Sequence, residues 1–236
     1  MLLDLTIAPG TDLLLEIANV LTPDAIAEIG RLLPTVVFDD GRATAGVQAR
    51  PVKDNRQMRT GSPEAERLQA IVRRALDASA MFYSATLPRH ISPALVNEYQ
   101  TGMSYGAHVD NAIMAAGTPL RSDVSLTLFL SPPDSYDGGE LEMRDALHGY
   151  HRVKLVAGSA FIYPSTTLHQ VTPVTRGVRH AAVFWVQSLV RGAEQRKLLF
   201  ELDLAIIGLR KREPAAPELA TLTAIYHNLV RLWAET

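Results

Sequence analysis

The stretch that decides the fold is Val124-Ser125-Leu126-Thr127-Leu128-Phe129-Leu130. Aliphatic residues occupy every second position, and this two-residue period is typical of a β-strand whose two faces have different surroundings. Thr127 and Phe129 lie on the second face, where each side chain could line a pocket or pack in the core. The stretch therefore predicts a strand within a larger sheet.

Other short segments on both sides also favour strands. A turn at Gln100-Thr101-Gly102 separates two of them, and the turn that ends at Asp137-Gly138-Gly139 is structural, because glycine readily adopts positive φ. The strand-like segments are residues 12–18, 36–38, 94–99, 104–110, 138–143, 152–156, 160–163, 168–174 and 180–189. Many short strands at close spacing predict a β-sandwich or barrel.

Helices are predicted at both ends of the chain. Thr22 is an N-cap candidate before a helix over residues 23–33, with Pro23 at its first position and Pro34 at its end. Ser62 opens a second helix, whose apolar stripe is Leu68, Ile71, Val72, Ala75, Leu76 and Ser79. Beyond residue 191 one stripe is Leu198, Leu199, Leu202, Ala205, Ile206 and Leu209, and residues 219–233 form another. We expect a domain over residues 1–191, with its core at 93–190, and a C-terminal helical appendage over 192–236.

Composition excludes several classes of function. The 236 residues carry a formal net charge of −2, so there is no basic surface for nucleic acid and no polybasic membrane patch. The chain has no cysteine, so any metal must be held by nitrogen and oxygen ligands. The N-terminus lacks the features of a signal peptide, since Asp4 and Asp12 interrupt it, and no apolar run is long enough to span a membrane. We expect a cytoplasmic protein.

The segment Tyr105-Gly106-Ala107-His108-Val109-Asp110 holds the first candidate site residues. Residues i and i+2 of an extended chain point the same way, so His108 and Asp110 can bind one ion from one side. With His169 they supply two imidazoles and one carboxylate, the ligand set that leaves three positions on Fe(II) open for cosubstrate and oxygen. A His-x-Asp pair is common by chance and needs support from the rest of the chain.

Arg179 provides part of that support, since it follows His169 by ten positions. An arginine on a neighbouring strand can bind a carboxylate through two hydrogen bonds, as a dicarboxylic cosubstrate would require. Tyr99 could add a hydroxyl to the same pocket, and Trp185 is interpreted as a core residue that borders it. The remaining histidines are interpreted as uninvolved: His148 and His151 as surface residues, His180 as facing away from Arg179, and His90 and His227 as lacking partners.

Several motifs agree in order and spacing with a known family. They are Tyr99-x-x-Gly102-x-x-Tyr105-x-x-His108-x-Asp110, Asp137-Gly138-Gly139-Glu140-Leu141, Gly158-Ser159, His169, Pro173-Val174-Thr175-Arg176-Gly177-x-Arg179 and Trp185. This pattern resembles the iron- and 2-oxoglutarate-dependent oxygenases of the prolyl-4-hydroxylase type, and most of all the bacterial PKHD-type hydroxylases. The segment from Tyr226 to Trp233 looks like the helical tail of those bacterial proteins.

The resemblance implies an α+β, mainly β fold: a double-stranded β-helix (jelly-roll) core with supporting N-terminal helices and the C-terminal appendage. It implies that His108, Asp110 and His169 hold Fe(II), that Arg179 binds the distal carboxylate of 2-oxoglutarate, and that Tyr99 lies nearby. The expected reaction uses O2 and converts 2-oxoglutarate to succinate and carbon dioxide while a small-molecule or peptide substrate is hydroxylated. Ascorbate is the expected reductant.

Alternatives to this hypothesis remain open at the level of sequence. The same pocket could serve a non-catalytic sensor of iron or 2-oxoglutarate, or a hydroxylase of prolyl residues in a protein. A cupin-like isomerase is disfavoured because such sites usually present more histidines. The substrate is unidentified; a link to iron or siderophore metabolism comes from the resemblance alone. Residues 39–60, a loop or irregular hairpin, and 111–121, a flap, are expected to select the substrate, and the appendage favours a dimer.

Overall fold

A computed structural model describes residues 13–114, 119–145 and 149–235 of the chain. Three expectations concern residues outside these ranges: the N-terminal segment with Asp4 and Asp12, the middle of the 111–121 flap, and His148. The helices are α1 (Pro23–Leu32), α2 (Pro63–Asp77), α3 (Ala80–Thr86), α4 (Ala193–Arg212) and α5 (Glu218–Trp233). Short 3-10 helices cover Leu33–Thr35, Gly41–Thr44 and Arg50–Val52.

The strands follow one another closely from residue 88 onward. They are β1 (Leu15–Ile17), β2 (Phe38–Asp40), β3 (Lys53–Asp54), β4 (Arg56–Met58), β5 (Pro88–Ile91), β6 (Leu95–Gln100), β7 (Ser104–His108), β8 (Ile113–Met114), β9 (Leu120–Arg121), β10 (Val124–Phe129), β11 (Tyr136–Gly138), β12 (Leu141–Asp145), β13 (Gly149–Val153), β14 (Ala160–Pro164), β15 (His169–Val171) and β16 (Val174–Ser188).

Among the described residues these strands form two facing sheets and one small hairpin. The large sheet has nine strands in the order β1-β14-β10-β16-β6-β4-β2, with β5 and β11 also paired to β16. The small sheet has the order β13-β12-β15-β7-β3, and β8 pairs with β9 alone. The core is a jelly roll, so the predicted fold is confirmed.

The alternation in β10 determines which side of the large sheet each residue faces. Leu126 and Leu128 are buried in the core that the large sheet shares with the helices, together with Phe184 of β16 and Leu68 of α2. Phe129 belongs instead to a smaller cluster with residues of β12 and β14. Every residue of β10 is buried, because the helices cover one face and the small sheet covers the other.

Several boundaries differ from the sequence-based expectations. The strand predicted at Val36-Val37-Phe38 lies at Phe38–Asp40, because the chain first forms a 3-10 turn through Pro34. Helix α3 was missed, since its seven residues are too few for a periodic signal. Ser79 is not the last residue of the α2 stripe; its hydroxyl accepts a hydrogen bond from the Phe82 amide as the N-cap of α3.

Other differences concern turns and the C-terminal stripe. Strand β11 lies in the predicted turn, and β16 continues through Gly177. This glycine has a φ of +75°, and a Cβ there would lie 2.3 Å from the Ser135 carbonyl oxygen. In α4 the stripe is partly wrong, because Leu198 is exposed while Phe200 is buried. The C-terminus packs back on the core, where the Glu235 amide donates to the Leu189 carbonyl at 2.8 Å. None of the described helices is long and apolar enough to cross a membrane.

The predicted N-cap of α1, Thr22, is present. Ser62, where the second helix was predicted to open, is the N-cap of α2, and this cap can be tested. The Ser62 hydroxyl accepts a hydrogen bond from the Ala65 amide at 3.1 Å. Ser62→Ala should lower the free energy of unfolding by about 1 kcal/mol, since an amide at the helix start loses its partner. Ser62→Asp should retain stability, because a carboxylate also caps a helix and favours its positive end. Equal urea midpoints for Ser62→Ala and wild type would contradict the cap assignment.

Candidate active site

The small sheet brings the two candidate histidines together. His108 ends β7 and lies opposite His169, the first residue of β15, in the antiparallel register of these strands. Asp110 lies two residues beyond the end of β7, and its Oδ1 is 4.0 Å from Nε2 of each histidine. One ligand atom from each residue lies within 4.8 Å of the other two, close enough for a single metal ion to be shared.

Hydrogen bonds to the backbone orient both imidazoles. Nδ1 of His108 lies 2.8 Å from the Gly106 carbonyl oxygen, and Nδ1 of His169 lies 2.9 Å from that of Thr167. A carbonyl oxygen can only accept, so each Nδ1 carries the proton and donates it. Each Nε2 is then left with a free lone pair on the side of Asp110, which is how metal-binding histidines are usually fixed.

Two serines were missed at the level of sequence: Ser125 holds the Asp110 carboxylate, and Ser165 contacts Ser125. The Ser125 hydroxyl donates to Asp110 Oδ2 at 2.6 Å and lies 2.8 Å from the Ser165 hydroxyl. Asp110 Oδ1 is therefore left to face the histidines. The alternation of β10 indicated the face on which Ser125 lies, but only the fold could show that this face meets Asp110.

Aromatic rings enclose the histidines. Tyr105 stacks on the His108 ring with centroids 3.7 Å apart, and Tyr163 meets the His169 ring edge-on at 5.0 Å. Burial and the neighbouring His169 lower the pKa of His108 to about 4. The imidazole is neutral near pH 7, which is the form that binds a metal ion.

The low pKa of His108 predicts how stability changes with pH when a chelator is present. The unfolded chain, whose histidine pKa is about 6.5, binds more protons than the folded chain between pH 6.5 and 4. The free energy of unfolding should therefore fall as the pH falls through this window, by on the order of 1 to 3 kcal/mol from His108. Urea unfolding at pH 7 and pH 4.5 measures the loss.

Two variants isolate the contribution of His108 to that loss. His108→Gln should lose less stability between pH 7 and pH 4.5 than wild type, whereas replacement of the exposed His151 by Gln should leave the loss unchanged. The same loss in His108→Gln and wild type would show that His108 is not the group responsible.

Arg179 lies in the same cavity, next to Tyr99 in the register between β16 and β6. Its side chain is 2% exposed, and its guanidinium carbon lies 5.3 Å from the Tyr99 ring and 5.4 Å from the Phe129 ring. In the described part of the chain, Arg179 Nε has no hydrogen-bond partner and no carboxylate lies within 4.0 Å of the guanidinium. A buried cation without an acidic partner is costly in free energy, which indicates a binding site for an anion.

The predicted glycine turn supports this position of Arg179. Gly139 has a φ of +66°, and a Cβ there would lie 3.0 Å from the Arg179 side chain. Gly138 has a φ of +69°, and a Cβ there would lie 2.1 Å from the Pro173 carbonyl oxygen. The prediction that these glycines adopt positive φ is confirmed. Gly139 is needed because Arg179 approaches it closely, and Gly138 is needed because the backbone just before β16 approaches it closely.

The cavity wall shows which of the candidate residues line the pocket and which pack in the core. Thr127 and Trp185 line the cavity, whereas Phe129 is buried beneath Arg179. Segments 39–60 and 111–121 both contribute lining residues: Thr44, Ala45, Gly46, Ala49, Lys53, Asn55, Gln57, Asn111 and Met114. The described ends of the flap form the paired strands β8 and β9, where irregular structure was expected.

The other described histidines, which were interpreted as uninvolved, do not line this cavity. His151 is exposed, as are His90 and His227. His180 faces the opposite side of its strand from Arg179 and lies 3.2 Å from Glu98. Among the described residues, these histidines therefore lie apart from the candidate ligands.

Two family models match the sequence. The model of the 2OG-Fe(II) oxygenase superfamily matches residues 94–187, and the model of the PKHD-type hydroxylase C-terminal domain matches residues 194–235. The first match contains the histidines, Asp110, Arg179 and Tyr99. The second match lies within the predicted C-terminal appendage.

Curated relatives match along nearly the whole chain. A PKHD-type hydroxylase of Xanthomonas campestris pv. campestris is 50% identical over 228 residues, covering 94% of this chain and 100% of the relative. A PKHD-type hydroxylase of Paracoccus denitrificans is 49% identical, with 95% of this chain and 100% of the relative covered.

Solved structures share the fold at low sequence identity. A prolyl hydroxylase from Trichoplax adhaerens, in complex with a peptide fragment of the hypoxia inducible factor oxygen degradation domain, has a TM-score of 0.55 at 17% identity, covering 80% of this chain and 87% of that one. A 2OG-Fe(II) oxygenase family oxidoreductase from Burkholderia pseudomallei has a TM-score of 0.54 at 16% identity, covering 74% of this chain and 84% of that one.

Proposed function

Since this chain belongs to the PKHD-type hydroxylases of the 2OG-Fe(II) oxygenase superfamily, we propose that His108, Asp110 and His169 hold its Fe(II) and that Arg179 binds 2-oxoglutarate. Membership makes the protein an iron- and 2-oxoglutarate-dependent dioxygenase. The proposed reaction joins the substrate, 2-oxoglutarate and O2 and gives the hydroxylated substrate, succinate and carbon dioxide.

One observation carries the residue assignments: a single cavity contains both a set of three metal-binding groups and a buried arginine. Two neutral imidazoles and a carboxylate suit Fe(II) and leave further coordination positions open. The donor atoms lie within 4.8 Å of one another, and within the described residues Arg179 has no acidic partner. A dicarboxylate has one carboxylate for the metal and a second for the arginine.

The residues of the chain have distinct roles in this proposal. Bound iron and 2-oxoglutarate supply the oxidising chemistry. The Gly106 and Thr167 carbonyls and the Ser125 hydroxyl keep the three ligand atoms directed at one point. Arg179 would donate hydrogen bonds to the distal carboxylate of 2-oxoglutarate.

The surrounding tyrosines complete the site. Burial raises the pKa of Tyr99, so its phenol stays protonated and can donate a hydrogen bond to the same carboxylate. Tyr105 and Tyr163 cover the histidines and keep water away from them.

The proposal is tested by measuring products with purified protein, Fe(II), 2-oxoglutarate and O2. We expect succinate and carbon dioxide to form in equal amounts, slowly without a substrate and faster when a substrate is added. If the protein binds iron and 2-oxoglutarate but forms no succinate with any of the substrates tested, the non-catalytic sensor would be favoured instead.

Several finer expectations stay predictions. They are the use of ascorbate as reductant, a dimer, a link to iron or siderophore metabolism, action on prolyl residues of a protein, and the division of the chain at residues 191 and 192. Omission of ascorbate from repeated turnovers tests the first of these, since the rate should then decline with time.

A further inference from the structure

One wall of the cavity is polar and comes from residues 39–60, the segment predicted as a loop or irregular hairpin. Lys53, Asn55 and Gln57 are buried and all line the cavity. Asn55 Nδ2 and Gln57 Nε2 both donate to Asn97 Oδ1, at 3.1 and 2.9 Å. The two amides thereby fix this wall to β6, which carries Asn97 and Tyr99.

Lys53 is the charged member of the wall, and it is 5% exposed. Its ammonium donates to the Thr44 hydroxyl at 3.1 Å and lies 5.2 Å from the centre of the Tyr105 ring. That ring stacks directly on His108, so Lys53 lies close to the proposed metal ligands. Burial lowers the pKa of Lys53 to about 8, which leaves the side chain mostly protonated at pH 7.

The hydrogen bonding of Lys53 is incomplete. An ammonium group has three donors, and in the described ranges only Thr44 accepts from it, while no carboxylate lies within 4.0 Å. The charges of Asp110 and Asp40 act on Lys53 from greater distances. A buried ammonium with two free donors is unfavourable unless an anion joins it.

The charges of the cavity indicate where this anion comes from. The two positive charges of Fe(II) and the one of Arg179 are balanced by Asp110 and the two carboxylates of 2-oxoglutarate. The charge of Lys53 has no counterpart in this set. A primary substrate with one negative group would supply it.

We propose that Lys53 binds a carboxylate of the primary substrate, so that the enzyme hydroxylates a carboxylic acid held between Lys53 and the proposed iron site. This inference rests on the proposed function and adds the substrate class to it. The small residues Ala45, Gly46 and Ala49 line the same cavity as Lys53.

The experiment measures binding, with no turnover needed. Wild type and Lys53→Met, each with Mn²⁺ and saturating 2-oxoglutarate, are titrated in a calorimeter with N-acetylated amino acids as free acids and as primary amides. At least one acid should bind wild type about tenfold or more tightly than its amide. Lys53→Met should lose about tenfold in affinity for that acid and keep its affinity for the amide, and Lys53→Arg should retain most of the acid binding.

Control measurements separate the possible failures. Melting temperatures show whether Lys53→Met is folded, and Lys53→Gln serves as a second neutral variant that can still donate to Thr44. The proposal is overturned if no acid binds wild type more tightly than its amide, or if both neutral variants bind acids as wild type does. A loss of 2-oxoglutarate affinity in Lys53→Met would also overturn it, because Lys53 would then serve the cosubstrate. Failure of wild type to bind 2-oxoglutarate would instead reject the proposed function.

Discussion

Replacement of His169 by alanine is expected to lower the rate of succinate formation by at least about 100-fold, since even groups that only orient metal ligands contribute about 10- to 100-fold. The same loss is expected for Asp110→Ala. Each variant keeps two of the three proposed ligands, so iron binding should weaken as well. The measurements are succinate formed per minute and iron retained after gel filtration.

Two further variants make this prediction specific. Ser125→Ala should give a smaller loss, about 10-fold or more, because Asp110 keeps its carboxylate but loses the hydroxyl that orients it. His151→Ala removes an exposed histidine outside the cavity and should match wild type. Full activity of His169→Ala would contradict the ligand assignment, as would an equal loss in His151→Ala.

Replacement of Arg179 by methionine should raise the KM for 2-oxoglutarate by about 100-fold, because a paired, charge-assisted contact to the distal carboxylate is lost. The variant should be no less stable than wild type, since a buried cation without an acidic partner is removed and methionine fills a similar volume. The rate of decarboxylation as a function of 2-oxoglutarate concentration, together with the melting temperature, measures both effects.

Arg176 offers a matched control on the same strand. Its guanidinium pairs with Asp137 at 2.7 Å, and both side chains are more than half exposed. Arg176→Met should therefore leave the KM for 2-oxoglutarate within about twofold of wild type, because exposed ion pairs contribute little. An unchanged KM in Arg179→Met would show that the cosubstrate binds elsewhere.

The parts of the structure that could be predicted from sequence have a strict period or a motif. The alternation from Val124 to Leu130 predicted β10, and the caps Thr22 and Ser62 marked the starts of α1 and α2. The interval of sixty-one positions between His108 and His169 could be interpreted only because the strands and glycines around them agreed with a family pattern. Their pairing in adjacent strands then placed them face to face.

The remaining parts depend on tertiary contacts that leave no local pattern. Lys53 looks like an ordinary surface lysine, because burial of its side chain follows from the pairing of β3 with β7. Ser125 and Ser165 are forty residues apart and meet only where β10 and the end of β14 come together at Asp110. Asn55 and Gln57 of the polar wall, and Asn97 to which they donate, have polar side chains, so hydrophobic periodicity could not indicate them.

The most direct test of the proposed site is an anaerobic titration of the purified protein with Fe(II) and 2-oxoglutarate, followed by visible absorption. We predict a charge-transfer band that saturates at one iron and one 2-oxoglutarate per chain, needs at least about tenfold more iron to form in Asp110→Ala, and bleaches with succinate release when O2 is admitted to the wild-type protein. A wild-type protein that gives no band, or a band that forms in Asp110→Ala at the same iron concentration as in wild type, would contradict the assignment of His108, Asp110 and His169 as the iron site.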